Sequence, residues 1–245
     1  FSISYNPNFD MIRGGDAGSY EAIADDIKSE ESTIRTPLYS LLIYLGKIIP
    51  IIEWQTFILF IHSILHGIMA LIFWKLLAKE KIKIGLRYLI IIVLLLSPRI
   101  MYYKHDLSPE FLLSFLILTL FYFVHECTIN KLKYNPIYTV ILWGGLSALC
   151  TLAKPIWLFG ILLLLPYTYY LFRATSQGPW KPTVVLLLTY IFLLMPWQIF
   201  LIVNFDQFTL SKISTRGLNL ISIRAGYLND APDTDLYRII SQNKK

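Results

Sequence analysis

Six long apolar stretches dominate the sequence, and they constrain the fold more than any other feature. Each holds about 17 to 25 residues, the length that a helix needs to cross a hydrocarbon core of about 30 Å. The stretches are Trp54 to Leu77, Ile84 to Tyr103, Leu107 to Val124, Ile137 to Ala153, Ile156 to Phe172 and Pro182 to Val203. They predict an all-α multi-pass membrane protein built as a bundle of about six transmembrane helices.

The composition agrees with this prediction and excludes an ordinary soluble domain. Of the 245 residues, 56% are hydrophobic and only 16% are charged, and the mean hydropathy is +0.56. The net charge is +6, but the cations lie in short loops rather than in one basic stripe, so nucleic acid is not an expected partner. The chain begins at Phe1 without a signal-peptide pattern, and we therefore expect a fragment of a longer protein.

The loop cations predict the orientation of the bundle. They concentrate in the loops after the first, third and fifth apolar stretches, which the positive-inside rule places in the cytoplasm. This divides the chain into an outer first loop (residues 1–53), a transmembrane module (54–203) and the start of an outer segment (204–245). We expect an integral protein of the bacterial cell membrane whose site faces outward, or of the endoplasmic reticulum membrane in a eukaryote.

Two short helices are predicted within the outer first loop. In GGDAGSYEAIADDI, residues 14–27, apolar side chains recur at i, i+3, i+4 and i+7, a spacing typical of an amphipathic helix on a membrane surface. The next apolar stretch, LYSLLIYLGKIIPII at residues 38–52, is too short to span the membrane, and Lys47 and Pro50 interrupt it. We expect it to lie at the interface.

Three charged residues near these segments have a structural and a functional interpretation. Asp16 precedes the first helix, where it could cap free amide groups or act as a general base at the mouth of a membrane cavity. Arg35 could simply lie among lipid headgroups. Lys154 is harder to dismiss, because it interrupts a long apolar run beside Pro155. Two cations near an acid suggest a phosphate site.

The remaining polar candidates are more ambiguous. Glu110 heads an apolar stretch, where it either favours a helix N-terminus or binds a polar substrate. His105 and Asp106 could orient a sugar or help to hold a metal, although a solvated loop pair is the more common outcome. His62 and His66 have the i, i+4 spacing of helical metal ligands, but no third ligand lies nearby in the sequence. We expect packed core histidines, and neither a metal nor another cofactor.

Five short motifs follow one another along the chain. They are Asp16 with Tyr20, Arg35 with Pro37 and Tyr39, Ser108 with Glu110, Lys154 with Pro155, and Pro196 with Trp197. This order resembles the glycosyltransferase family 39 group of the GT-C superfamily, which includes dolichyl-phosphate-mannose protein mannosyltransferases and the bacterial lipid A aminoarabinose transferase. The chain departs from the pattern after Pro-Trp, where Gln198 and Ile199 stand in place of the Arg-Asn that family members often carry.

The resemblance implies a GT-C-like bundle and an inverting transferase. Such enzymes take a sugar from a polyprenyl monophosphate in the membrane and pass it to a hydroxyl of a protein, lipid or glycan acceptor. Asp16 would be the general base, and Arg35 and Lys154 would bind the donor phosphate. The other expected substrate-binding residues are Tyr20, Tyr39, His105, Asp106 and Glu110.

Two alternatives to this transferase stay open. One is a transporter or scaffold without chemistry, which would be expected to show broken helices, paired charges near the midplane or an inverted repeat. The sequence itself indicates none of these. The other is a related oligosaccharide ligase or polymerase that uses a lipid diphosphate donor.

Overall fold

The computed structural model describes residues 16–129, 135–173 and 178–212, and within these ranges the chain is helical. The α-helices are α1 Ala17–Asp25, α2 Pro37–Ile48, α3 Trp54–Lys79, α4 Ile84–Leu96, α5 Pro98–His105, α6 Glu110–Ile129, α7 Pro136–Ala153, α8 Gly160–Phe172 and α9 Trp180–Phe205. Two 3₁₀ helices, Glu30–Thr33 and Pro155–Phe159, connect some of them. The predicted all-α class is therefore confirmed.

The described helices are those of a multi-pass integral membrane protein. Five are long and apolar enough to cross a membrane, namely α3, α6, α7, α9 and α8 with its preceding 3₁₀ helix, and there are six if the bent pair α4 and α5 counts as one span. Many large apolar side chains on these helices are exposed, and α4 has no buried residue at all. Such continuous apolar surfaces are suited to contact with lipid.

The second predicted span, Ile84 to Tyr103, is wrong as a single helix. The chain breaks at Ser97, and α4 and α5 meet at a bend of 43°. Pro98 explains the break, because it has no amide hydrogen to donate and it disfavours helical backbone in the residue before it. The third span begins later than predicted, at Glu110 rather than at Leu107. Its helix starts directly after a second proline, Pro109.

The first loop contains two helices close to the predicted segments. In α1, Tyr20, Ile23 and Ala24 of the predicted apolar stripe are buried, whereas Ile27 lies beyond the helix end and is exposed. In α2, Pro37 occupies the first turn, where its missing amide hydrogen removes no helical bond. The two helices pack against each other and against the start of α3.

Ion pairs between helix ends show which of the long helices are parallel and which are antiparallel. Lys79 at the end of α3 pairs with Glu126 near the end of α6, so these helices are parallel. Lys154, directly after α7, pairs with Glu110 at the start of α6, so α7 is antiparallel to both. We call the end of the bundle that carries Asp16, Glu110, Lys154 and the last turn of α9 the Asp16 end.

Candidate functional site

Asp16 forms an ion pair with Arg35 and does not cap α1. Its backbone is already helical, with φ −97° and ψ −8°, and its side chain accepts no hydrogen bond from the amides of the first turn. Instead, one carboxylate oxygen accepts a hydrogen bond from Arg35 Nη2. Half of the Asp16 side chain is exposed, against 15% of the Arg35 side chain. The capping interpretation of Asp16 is therefore not supported by this geometry.

Arg35 is held by the turn that leads into α2. Its amide donates to the Glu31 carbonyl at 2.9 Å, an α-type bond directly after the 3₁₀ helix, and Thr36 and Pro37 then begin α2. The guanidinium lies 5.6 Å from the centroid of the Tyr20 ring, a distance at which the ring face attracts a cation. The stem of Arg35 is consequently buried while its charged head reaches Asp16.

Lys154 and Glu110 form a second acid–cation pair at the same end of the bundle. Lys154 has extended backbone, φ −153° and ψ 123°, because Pro155 prevents α7 from continuing. Its ammonium group donates to Glu110 Oε1, and about one third of each side chain is exposed, 31% and 33%. The two residues for which the sequence predicts separate roles, in binding phosphate and in binding substrate, thus contact each other.

Tyr20 and Tyr39 pack together beside the Asp16–Arg35 pair. Their rings meet edge to face, with centroids 5.5 Å apart, and both side chains are buried. Burial raises the pKa of Tyr20 above its ordinary value; the Arg35 guanidinium lowers it, and the Glu110 and Asp16 carboxylates raise it. The Tyr20 ring lies against the Arg35 guanidinium, and both tyrosines share one apolar cluster with Leu107 and Leu112, which flank Glu110. The two acid–cation pairs therefore lie around the same pair of rings, and we call this group the cluster.

Asp106 joins this cluster, but His105 does not. Burial raises the pKa of Tyr39, and the Asp106 and Glu110 carboxylates raise it further. Asp106 is itself buried in the turn between α5 and α6. His105 is half-buried at the end of α5 and makes no hydrogen bond to another described residue. The structure therefore brings together seven of the eight expected site residues and leaves His105 beside them.

His62 and His66 pack within the bundle next to the cluster. The His62 Nδ1 donates to the Lys104 carbonyl at 2.8 Å, since a carbonyl can only accept. The His62 ring lies 6.0 Å from the Tyr39 ring and 5.0 Å from Phe111, and His66 meets Phe111 edge-on. Within residues 16–129, 135–173 and 178–212, no group of three or more His, Cys, Asp or Glu side chains converges on a point that would hold a metal.

Several buried polar atoms in the cluster lack a hydrogen-bond partner among the described residues. The Tyr39 hydroxyl is one, although the Ser108 amide approaches it. Arg35 Nε and Thr36 Oγ1 are two more. An unsatisfied buried polar group costs about 1 to 3 kcal/mol. Buried polar groups without a partner need an explanation, and a bound polar ligand is one that fits their place beside two ion pairs.

Two residues just after α9, neither of which the sequence pattern singles out, support this cluster. The Gln207 side-chain amide donates to the Thr33 carbonyl at 3.1 Å, and the Ser211 hydroxyl donates to the Ile34 carbonyl. Their only sequence signal is a short polar run directly after a long apolar helix. That signal identifies a helix end but not the loop it contacts.

Comparison of the chain with protein-family models, with curated proteins and with solved structures finds no match.

Proposed function

We propose that the chain is the catalytic module of a membrane glycosyltransferase. It moves a sugar from a polyprenyl monophosphate, undecaprenyl or dolichyl, to an acceptor hydroxyl with inversion. The observation that carries this proposal is the presence of two acid–cation pairs, Asp16–Arg35 and Glu110–Lys154, around two buried tyrosines at one end of a membrane bundle. An acid, two cations and uncharged hydroxyl groups are what transfer from a lipid phosphate requires.

In the proposed reaction, Arg35 and Lys154 bind the phosphate of the donor lipid. Arg35 offers a planar fork of N–H groups and Lys154 a compact charge. The acceptor oxygen forms a bond to the anomeric carbon from the face opposite the phosphate, and the bond from that carbon to the phosphate oxygen breaks. Its electron pair stays on the phosphate, where the two cations stabilise the growing negative charge.

Asp16 takes the proton of the acceptor hydroxyl in the same step. The Asp16 side chain is half exposed, so an acceptor can reach it from the water. Without ligand, an Asp16 oxygen is bonded to Arg35. A donor phosphate competes for Arg35, and its binding frees that oxygen to accept the proton. The ion pair therefore holds the cation in place until the donor arrives.

The other residues of the cluster are suited to holding the sugar and the acceptor. Glu110 and Asp106 offer carboxylate oxygens, and the buried phenols of Tyr20 and Tyr39 stay protonated because burial raises their pKa. Neutral phenols donate and accept hydrogen bonds, as sugar hydroxyls do. The Asp16 end faces outward in this proposal, since the loop cations favour the opposite end as cytoplasmic.

Replacement of Asp16 tests the proposed base. Asp16→Asn should reduce sugar transfer by about 10² to 10⁴-fold without weakening donor binding, because the base acts only in the transition state and its carboxylate competes with the donor phosphate for Arg35. The measurements are transfer from a radiolabelled polyprenyl monophosphate hexose to a panel of peptide, lipid and glycan acceptors, and donor binding in nanodiscs. Asp26→Asn, at the other end of α1, is the matched control. Full activity of Asp16→Asn would refute the role of the base.

Replacement of the cations should give a different result. Arg35→Ala and Lys154→Ala each remove a contact to a phosphate that is present in the bound donor and more highly charged in the transition state. Donor binding and turnover should therefore both weaken. Lys47→Ala, which removes a cation paired with Asp25 outside the cluster, is the control. Unchanged donor affinity in both site variants would exclude them as phosphate ligands.

A second candidate function is transport without chemistry, and the bend between α4 and α5 favours it. Broken spans are common in transporters, where freed backbone groups line a substrate path. Against it, the described ion pairs lie at helix ends rather than near the midplane. Proteoliposomes loaded with labelled donor lipid distinguish the two. A transporter would move intact donor between leaflets, whereas a transferase would release the lipid phosphate.

A further inference from the structure

The chain leaves α9 through a sharp turn that directs Gln207 toward the first loop. Asp206 has left-handed backbone, φ 50° and ψ 36°, and its amide donates to the Ile202 carbonyl at 3.1 Å. The backbone amide of Gln207 in turn donates to the Leu201 carbonyl at 3.2 Å. These bonds satisfy carbonyls at the end of the helix. They also fix the direction in which the Gln207 side chain leaves the turn.

The Gln207 side chain joins this turn to the loop before Arg35. Its Nε2 donates to the Thr33 carbonyl at 3.1 Å and to the Thr209 carbonyl at 2.8 Å. Carbonyls only accept, so the amide orientation follows from its partners. The side-chain amide of Gln198, within the last turns of α9, donates to the backbone carbonyl of Gln207 at 3.3 Å. The Gln207 side chain is buried, and water therefore competes poorly for these bonds.

Ser211 provides a second anchor, on the residue next to Thr33. Its hydroxyl is fully buried and donates to the Ile34 carbonyl. Thr33 and Ile34 directly precede Arg35, so both anchors act on the backbone that carries the guanidinium. The charged head of Arg35 then reaches Asp16 from a fixed starting point. Misplacement of a site group by about 1 Å can reduce rate by about 10²-fold.

We infer that Gln207 is a positioning residue that, together with Ser211, holds Arg35 at the phosphate site. Only the ligand of Arg35, the donor phosphate, is taken from the proposed function. The anchoring itself concerns the loop and its two hydrogen bonds. The segment after α9 thereby sets where the cation lies, although Gln207 comes 174 residues later in the chain than Thr33.

The test uses variants that change single hydrogen bonds. Gln207→Met keeps the length of the side chain and adds no charge, but it removes the amide that donates to the two carbonyls, and Ser211→Ala removes the other donor. Ser211→Thr keeps a hydroxyl and should behave like the unaltered protein. Ser63→Ala is the matched control, because Ser63 also donates to a carbonyl, that of Leu59 at 2.8 Å, within α3. Each variant is made in the full chain in nanodiscs.

Two measurements separate the anchor from the proposed function. The first is hydrogen–deuterium exchange of the peptide covering residues 31–36, which should exchange about tenfold faster in Gln207→Met and Ser211→Ala while the peptides of the long helices exchange at unchanged rates. The second is binding of polyprenyl monophosphate, which should weaken about tenfold in the same variants. In an Arg35→Ala background, Gln207→Met should add no further loss of affinity, because its effect passes through Arg35.

Each outcome supports or overturns a definite part of the inference. Unchanged exchange in Gln207→Met would overturn it, as would an equal loss of affinity with and without Arg35. If exchange quickens but the unaltered protein binds no polyprenyl monophosphate, the proposed function fails while the anchor on Thr33 and Ile34 stands. Faster exchange in Ser63→Ala at residues 31–36 would also contradict the inference, because the effect would then not be specific to the two anchors.

Discussion

Gly144 lies where α7 and α9 approach each other closely. A Cβ added at Gly144 would come within 2.7 Å of the Leu186 carbonyl oxygen and 3.1 Å of Thr189 Cβ. The neighbouring Gly145 provides a matched control, since a Cβ there would meet only Leu193 Cδ1 at 3.6 Å, an ordinary contact. Small residues at such interfaces let membrane helices pack backbone against backbone. Gly144→Ala and Gly145→Ala therefore test the packing of these two helices.

The difference between the two variants isolates the clash. Both gain helix propensity, because alanine is about 1 kcal/mol better than glycine in a helix interior. That gain cancels when the variants are compared. Overpacking of a close interface costs about 1 to 3 kcal/mol. The obstacle at Gly144 is a backbone oxygen, which cannot turn away as a side chain can. Gly144→Ala should therefore be less stable than Gly145→Ala by about 1 to 3 kcal/mol.

The assay is reversible unfolding in mixed micelles, with the free energy of unfolding measured against the fraction of denaturing detergent. Gly145→Ala should be as stable as the unaltered protein or slightly more stable. A difference below about 0.5 kcal/mol between the variants would refute the close approach of α7 and α9, since that is the usual range of surface substitutions. Because α7 leads to Lys154 and α9 to Gln207, Gly144→Ala should also weaken binding of the donor lipid.

Two further predictions concern topology and the buried phenol. Single cysteines at positions 81 and 104, in a background without the two native cysteines, should react with an impermeant reagent from opposite sides of the membrane. Labelling of both positions from the same side would contradict the helix directions. Tyr39→Phe removes a buried hydroxyl that the Ser108 amide approaches without forming a hydrogen bond of normal geometry, so the free energy of unfolding should not fall, whereas sugar transfer should. Tyr44→Phe, at an exposed tyrosine of the same helix, is the control, and strong destabilisation by Tyr39→Phe would show that the hydroxyl is bonded.

The number and order of the spans follow from the sequence because lipid imposes a strict condition. Backbone groups in hydrocarbon must bond within the chain, so apolar runs of sufficient length become helices. Prolines also act locally, and the end of α7 before Lys154 is predicted correctly from Pro155. Hydropathy alone does not predict the break at Ser97, because the apolar run continues across it even though Pro98 favours a break there.

The partners of the charged residues were decided by tertiary structure alone. The sequence left capping and catalysis open for Asp16; in the structure its side chain pairs with Arg35, 19 residues away, rather than with the first amides of α1, and catalysis stays a proposal. Lys154 meets Glu110, 44 residues away, only because α6 and α7 run antiparallel with these ends together. Gln207 meets Thr33 across 174 residues. Charges and polar groups are satisfied by whatever lies within a few ångströms, and helix packing fixes which residues those are.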